Sequence, residues 1–523
     1  MPVSEPDVAT IVARTARSYD ALPYASDPFP FTHPAQLGAI ARLFGLDAAP
    51  PAEARILELG CASGGNIIPI AARLPGATVV GIDLSPTQVA TGRARIAALG
   101  LANIELRCQE FSAPAGAAEP PFDYIVCHGV YSWVPAPVRN AILALCRQKL
   151  SPRGVALVSY NVLPGWRLLQ ALRDSFLLCT PPDADPRARV AQTRALLALL
   201  PQACPEPGPY RELLARDAER LAKSTDDYIA HEFLDDVNDP STFRDFVDAA
   251  RRHGLAFLAE TALPTMIPGN YPAPTAEAIR KIGGADVTGT EQAIDIATGR
   301  PFRRTLMVAA ERGPQIDRRL TNARMEGLHV LGSETLVLTQ EAASATLADQ
   351  GGRRLHTDSA PVMAALARFV GAFPGSANVD DLVGAMPPGM RNADGRALAR
   401  EGLLNMVVNG LATPRTDPVR AVAQPGARPL ACPLARSDAA RGEATTVNLR
   451  HERVELGGLA RFVLPLLDGS RDAGAIAAAV AEGGLAFARD DAAVAGPADR
   501  LKIAADNLGA LLPALARAAL LLA

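Results

Sequence analysis

Residues 56–64 read Ile-Leu-Glu-Leu-Gly-Cys-Ala-Ser-Gly, and Val79-Val80-Gly81-Ile82-Asp83 follows one helix later. The first run is apolar, turns through small residues and enters a helical stretch. The second run is apolar and ends on a lone carboxylate. An open α/β sheet holds a nucleoside in this way. Small residues let the backbone approach the ligand, and the acid takes the ribose hydroxyls. Glu58 lies inside the first run, and Ala62 stands where a dinucleotide fingerprint has its second glycine. No Lys-Ser/Thr pair follows the glycines, which excludes a phosphate-binding P-loop.

This turn resembles the first motif of class I S-adenosylmethionine (SAM) methyltransferases. Their cofactor has no pyrophosphate, so the turn need only clear an amino acid and a ribose. The surrounding pattern agrees. Strand-like runs at Arg55–Leu59, Thr78–Ile82, Ile104–Cys108, Tyr124–Cys127 and Val155–Tyr160 alternate with helical runs near 65–73, 86–99 and 136–149. Alternation of this kind implies parallel strands with right-handed crossovers and a ligand at the strand C-terminal ends. Thr242–His253 reads as an amphipathic helix stopped by Gly254, followed by strands Leu255–Glu260 and Arg304–Ala310. The fold class expected is α/β. A Rossmann-like, seven-stranded methyltransferase sheet carries helical insertions at 180–235 and 264–300, and mainly helical, winged-helix-like modules follow it.

The strand ends gather the candidate residues. For the cofactor, the backbone at Gly60, Ala62 and Gly64 faces the methionine portion, with Glu58 behind it. Asp83 takes both ribose hydroxyls, with Leu84 beside it. Glu110 is placed for the adenine amino group and Phe111 for its ring. Asp83 has a competing role as a helix N-cap, for which Ser85, followed by Pro86, is the rival. After the fourth run comes Cys127-His128-Gly129-Val130-Tyr131-Ser132-Trp133-Val134-Pro135. Methyl transfer mainly requires alignment of a neutral nucleophile with a sulfonium, and aromatic faces favour that cation. Tyr131 and Trp133 suit this task. His128 reads either as a base, also touching the cofactor, or as an ordinary loop residue. Tyr160 and Asn161, ending the fifth run, are expected at the same rim, holding a substrate amine.

The motifs HGVYSWVP and SYN-x-x-PGW, with SYD-x-x-PY and PF-x-x-THP upstream, give a narrower resemblance. They are similar to bacterial methyltransferases carrying a methyltransferase regulatory domain, among them rickettsial protein-lysine methyltransferases. Asp227–Leu234, Gly254–Glu260, Asn448-Leu449-Arg450-His451 and Leu466–Asp472 extend the likeness nearly to the C-terminus. The resemblance implies SAM as cofactor and a protein lysine as acceptor. A small-molecule N- or O-methyltransferase, or a non-catalytic SAM-binding regulator, are the alternatives. A homo-oligomer is compatible with the large accessory domains.

Bulk properties narrow the partners. Net charge is −3 over 523 residues, and no basic stripe suggests nucleic acid. The seven cysteines form no CxxC pair, so neither a zinc ribbon nor a disulfide framework is expected, and a reducing cytoplasm fits. No apolar run has the length of a membrane span, so no membrane insertion is expected. The N-terminus does not read as a signal peptide. The acidic stretch Asp226–Asp239 is either a solvated face or a collar attracting a cationic lysine. Asp227, His231 and Asp235 share a helical face, but no other cluster supports a metal.

Four segments are expected: an aromatic arm or lid over 1–50, the methyltransferase domain over 51–312, a middle helical module over 313–415, and a winged-helix-like domain over 416–523. Pro414–Gly442 reads as an ordered linker. Removal of 316–523 is then expected to leave a soluble, SAM-binding core.

Overall fold

The computed structural model describes residues 20, 22–23, 26–111, 119–182, 184–205, 207–483 and 496–522. They divide into two compact units. One comprises Met1–Ser26, Glu53–Ile68 and Gly76–Ile316; the other comprises Asp27–Ala52, Pro69–Pro75 and Asp317–Ala523.

The first unit is built on seven strands: β1 (Arg55–Leu59), β2 (Thr78–Asp83), β3 (Ile104–Cys108), β4 (Phe122–Cys127), β5 (Leu150–Asn161), β6 (Leu255–Glu260) and β7 (Phe302–Ala309). Their order is β3-β2-β1-β4-β5-β7-β6. Strands β1 to β5 run parallel, and β7 lies antiparallel between β5 and β6. The order reverses direction between β1 and β4, which opens a crevice at their C-terminal ends. The Rossmann-like methyltransferase sheet expected from the sequence is therefore present.

Burial explains the composition of the strands. Ile56, Leu59, Tyr124, Ile125, Cys127 and Val155 to Val158 are fully buried, as befits parallel strands covered on both faces. One helix, Ala136–Lys149, contributes Ile142, Leu143, Leu145 and Cys146 to the core. Another, Phe243–Arg252, contributes Phe243, Phe246, Val247 and Ala250, and Thr242 caps it by accepting from the Asp245 N–H at 3.1 Å. The helical insertions carry cores of their own. Helices Pro186–Ala203, Pro209–Ala222 and Asp226–Phe233 enclose Phe176, Val190, Leu221 and Phe233 with their neighbours. Helix Val287–Thr298 is tied to the last strands by a buried ion network. Arg303, 1% exposed, donates to Glu260, Glu291 and Asp295 and lies 4.1 Å over the Phe243 ring. Burial raises the Glu291 carboxyl to about 7 despite that cation.

In the second unit, His329–Leu331, Ala377–Asn378 and Thr413–Arg415 form a three-stranded antiparallel sheet. Helices Ala360–Gly371, Val379–Ala385 and Ala393–Val408 accompany it. The C-terminal part has a hairpin, Thr445–Val447 with Arg453–Glu455, and helices Gly458–Val463, Ala473–Glu482 and Pro497–Arg517. Among the described residues no helix is long and apolar enough to cross a membrane.

Two local expectations fail here. Pro414–Gly442 is not only a linker: it contains helix Pro433–Ala440, which buries Leu434, Ala435, Asp438 and Ala439. The expected arm over 1–50 is not one segment, because residues 27–52 part from Met1–Ser26. They belong to the second unit, where helix Pro34–Leu43 is buried at every position except Arg42. His33 caps that helix, its Nδ1 accepting from the Ala35 N–H at 3.2 Å. The small residues Ala35, Gly38, Ala39 and Ala41 let neighbours approach it from all sides, while the prolines and aromatics before it suggest an exposed arm. Tyr19 and Tyr24, the other aromatics of that expected arm, lie outside the described residues.

Candidate active site

The turn after β1 is wound tightly against the end of β2. Gly60 adopts φ +76° and Ala62 φ +48°, a region unusual for a residue with a side chain. A Cβ at Gly60 would come within 2.4 Å of Val130 Cγ2, so the loop after β4 closes down on a position that only glycine can fill. The Gly60 and Cys61 N–H groups both donate to Ile82 O, at 2.8 and 3.1 Å, and the Gly64 N–H donates to Cys61 O at 2.8 Å. The Ala62 N–H donates to Asp83 Oδ2 at 2.8 Å. The Gly65 N–H donates to Ser26 Oγ at 2.7 Å. These five N–H groups are engaged, so they cannot cradle an anion as a dinucleotide turn does. The turn therefore favours a ligand that is not an anion.

Glu58 reinforces that preference. It is 4% exposed; Oε1 accepts from Asn66 Nδ2 at 2.8 Å, while Oε2 is buried without a partner. Burial first, and then the Asp83 charge, raises its carboxyl from the usual 4.5 to about 8, against the lowering bond from Asn66.

Asp83 ends β2. Its Oδ1 accepts from the Ser85 N–H at 2.9 Å, and its Oδ2 takes the Ala62 bond. A carboxylate has about four acceptor sites, so Asp83 keeps capacity for a ribose hydroxyl. Burial raises its pKa, and the backbone bonds lower it in part. The helix cap is Ser85, whose Oγ accepts from the Gln88 N–H at 3.1 Å, so the competing role of Asp83 falls to its neighbour. Leu84 is half-buried beside it. Beyond β3, Glu110 is exposed and Phe111 is buried in the sheet's core cluster.

The described residues of the N-terminal arm touch this region at three points. Asp20 Oδ1 lies 2.5 Å from Ser85 Oγ, Leu22 O lies 2.7 Å from His231 Nε2, and Ser26 bonds Gly65. His231 is thereby engaged with the arm. Among the described residues no group of three or more His, Cys, Asp or Glu side chains is placed to hold a metal ion. The expected acidic collar is partly neutralised, Asp226 pairing with Arg194 and Asp239 with Arg139.

The rim after β4 and β5 is more selective than the sequence suggests. His128 Nδ1 lies 2.8 Å from Ser159 Oγ, which also accepts from the Gly129 N–H at 2.9 Å. Burial lowers the imidazole to about 3, so it is neutral near pH 7 and a weak base. Tyr131 is 5% exposed, edge-on to Phe246 at 5.3 Å. Trp133 meets Trp166 edge-on at 6.2 Å. Asn161 is 2% exposed, its N–H donating to Ser132 Oγ at 2.9 Å and its side-chain Nδ2 unpartnered.

Tyr160 meets Tyr131 of the rim edge-on at 6.2 Å, but it is 1% exposed and its hydroxyl points into the core. Strand alternation turns it into the core while Asn161 faces the other way. Its ring stacks on Phe246 at 4.0 Å, and Thr305 Oγ1 bonds both its hydroxyl (3.2 Å) and Glu260 (2.7 Å). Ser132, Ser159, Asn66 and Ser241 were not expected in the site. Ser132 and Ser159 stand inside the motifs HGVYSW and SYN, their only signal, and Ser241 had none.

Fold and site together define a class I SAM-dependent methyltransferase. A methyltransferase domain model matches residues 57–156, a "Predicted methyltransferase regulatory domain" matches 225–309, and "PKMT, C-terminal winged helix domain" matches 427–520. The chain is 39% identical over 315 residues to the uncharacterized protein RP789 of Rickettsia prowazekii, covering 60% of this chain and 56% of that one. It is 33% identical over 242 residues to RP028 of the same organism, covering 46% of this chain and 96% of that one. The structure of PKMT2 from Rickettsia typhi superposes with a TM-score of 0.82 at 24% identity, covering 96% of this chain and 100% of that one. The same protein in complex with AdoHcy gives 0.81 over 95% of this chain. The chain belongs to the same family as RP028 and carries the methyltransferase and regulatory domains matched above.

Proposed function

We propose that this chain transfers the methyl group of SAM to nitrogen, the acceptor being a lysine side chain of a protein. The observation that carries the cofactor half is the turn after β1. Its N–H groups are engaged, and Glu58 Oε2 has no partner. Such a donor-seeking pocket fits the ammonium of a methionyl group and not a phosphate. SAM supplies a methyl group on a cationic sulfur. Gly60, Ala62, Gly64 and Glu58 hold its amino-acid end, Asp83 and Leu84 its ribose, and Glu110 and Phe111 its adenine. The arm at Asp20, Leu22 and Ser26 covers the turn and excludes water. Tyr131 and Trp133 present ring edges and faces near the reacting centre, and neutral His128 shapes the loop beside the cofactor. The domain division proposed is 51–312 for catalysis, with 313–415 and 416–523 as accessory modules that dock a protein.

The lysine half is supported by the PKMT designation of the winged-helix model and of the R. typhi structure. The test is incubation with methyl-labelled SAM and a bacterial cell extract. Methyllysine in hydrolysed protein bands is the expected result. Label confined to small molecules would replace lysine with a small-molecule acceptor, and no label would leave a SAM-binding regulator.

A further inference from the structure

One part of the rim has a concentration of polar atoms that burial leaves unsatisfied. Asn161 Nδ2, Trp166 Nε1, Asn238 Nδ2, Asn238 Oδ1 and Ser241 Oγ are all buried without a hydrogen-bond partner. Each such atom costs roughly 1–3 kcal/mol unless something pairs with it. Native structures rarely leave several together without a ligand or water.

The backbone shows that these atoms share one locality. The Asp239 N–H donates to Ser132 O at 2.8 Å, joining residues 238–241 to the loop after β4. The Ser241 N–H donates to Asn161 O at 3.1 Å, and the Leu163 N–H donates to Ser241 O at 3.0 Å. Ser241 pairs with Val162 as a parallel bridge, like a short extra strand laid along the end of β5. Trp166 is fixed by its edge-on contact with Trp133. Arg139, which pairs with Asp239 and lies 5.9 Å from the Tyr131 ring centre, holds the same segment from outside. The C-terminal ends of β4 and β5 are thus walled by a segment inside the stretch matched as a regulatory domain.

We propose that Asn238 and Ser241, together with Asn161 and the Trp166 indole, form the acceptor-recognition wall of the active site and receive an uncharged primary amine. The matched regulatory segment would then select the acceptor. This rests on the methyltransferase reading above. The chemistry of the lining carries the substrate class. Amide, hydroxyl and indole groups supply dipoles but no net charge, so they bind a neutral amine without stabilising its ammonium form. An amide oxygen accepts one amine N–H and a hydroxyl the other, leaving the nitrogen lone pair free. That lone pair forms the new N–C bond as the C–S bond breaks; the sulfur leaves as a neutral thioether, and the surplus proton on nitrogen passes to solvent.

The only two tryptophans of the chain, Trp133 and Trp166, both stand at this wall, so intrinsic fluorescence reports on it alone. The experiment titrates poly-L-lysine into the full chain saturated with S-adenosylhomocysteine. The wild type should show a saturable change in tryptophan emission. Asn238→Ala and Ser241→Ala should each raise the half-saturation and the acceptor KM about tenfold, the effect of one lost hydrogen bond, with a smaller change in kcat. Ser241→Thr should recover most of the loss. Calorimetric affinity for SAM should be the same in all variants. Variants that match the wild type in KM, or a wild type that binds SAM but shows no change with poly-L-lysine, would overturn the proposal and leave the cofactor reading standing. A wild type that does not bind SAM would instead overturn the reading on which it rests.

Discussion

Glu58→Gln tests the physical account of the cofactor turn most directly. The wild-type carboxyl is buried, bonded to Asn66 on one oxygen and unpartnered on the other, and burial raises its pKa from 4.5 to about 8. Between those values the folded protein holds a proton that the unfolded chain releases, so stability must fall as pH rises through the window. The slope is about 1.4 kcal/mol per pH unit, which places the cost at roughly 3 kcal/mol by pH 7. Glutamine keeps the shape and the Asn66 bond and cannot ionise, so the variant lacks this slope. Unfolding of the full chain, followed by the fluorescence of Trp133 and Trp166, reads the first unit because both lie in it. The variant should match the wild type near pH 4 and exceed it by roughly 3 kcal/mol near pH 7. Arrival of the cofactor ammonium should ionise Glu58. At pH 7, SAM binding to the wild type should therefore release close to one proton, measured by calorimetry in buffers of different ionisation enthalpy, and none in the variant. Parallel stability curves would refute the raised pKa. SAM binding without proton release would remove Glu58 from the ammonium's side.

Asp83→Ala should weaken SAM binding by at least about 1.5 kcal/mol by calorimetry, because it removes a charged acceptor for the ribose and frees the Ala62 N–H. Unchanged affinity would take Asp83 out of the site. Tyr160→Phe should lower stability by about 1 kcal/mol through its lost bond to Thr305 and leave methyl transfer nearly unchanged; a large loss of turnover with unaltered stability would return Tyr160 to the rim. A chain ended after residue 316 should aggregate on expression, since it keeps helix Pro34–Leu43 but loses the rest of the second unit in which that helix is buried. A monodisperse, SAM-binding product in size-exclusion chromatography would contradict this.

The catalytic sheet was legible because parallel strands announce themselves twice, by uninterrupted apolar runs and by the small-residue turn between β1 and the following helix. All seven strands lie where the runs place them. The cofactor residues share that legibility: they sit at strand ends, and a strand end is a position in sequence. The rim was less legible. Tyr160 and Asn161 are adjacent in sequence and both polar, but alternation along β5 sends one into the Phe246 stack and the other to the surface of the site. No composition rule says which. The partition of the N-terminal fifty residues was hidden for a different reason. Helix Pro34–Leu43 finds its burial against segments hundreds of residues later, such as Thr416, whose N–H donates to Ala35 O at 3.0 Å. Periodicity shows that such a helix needs a partner and is silent about where along the chain the partner lies.

The same limit bears on the accessory segment. Its acidic run, Asp226–Asp239, draws attention in the sequence as a charge pattern, and a collar for a cationic lysine follows naturally. Within the first unit the charges are largely spoken for: Asp226 by Arg194, Asp239 by Arg139, and Glu232 raised by burial to about 7. Asp235 Oδ2 is buried without a partner as well, but the unpartnered atoms tied to the ends of β4 and β5 are uncharged, those of two asparagines, a serine and an indole. A methyl acceptor must reach the reaction as a free base, because an ammonium has no lone pair to give. A charged pocket would bind lysine tightly in the form that cannot react. A neutral wall binds the reactive form instead, at the cost of weaker attraction. The geometry of residues 238–241 therefore fits the chemistry better than the charge pattern that marks the segment in sequence.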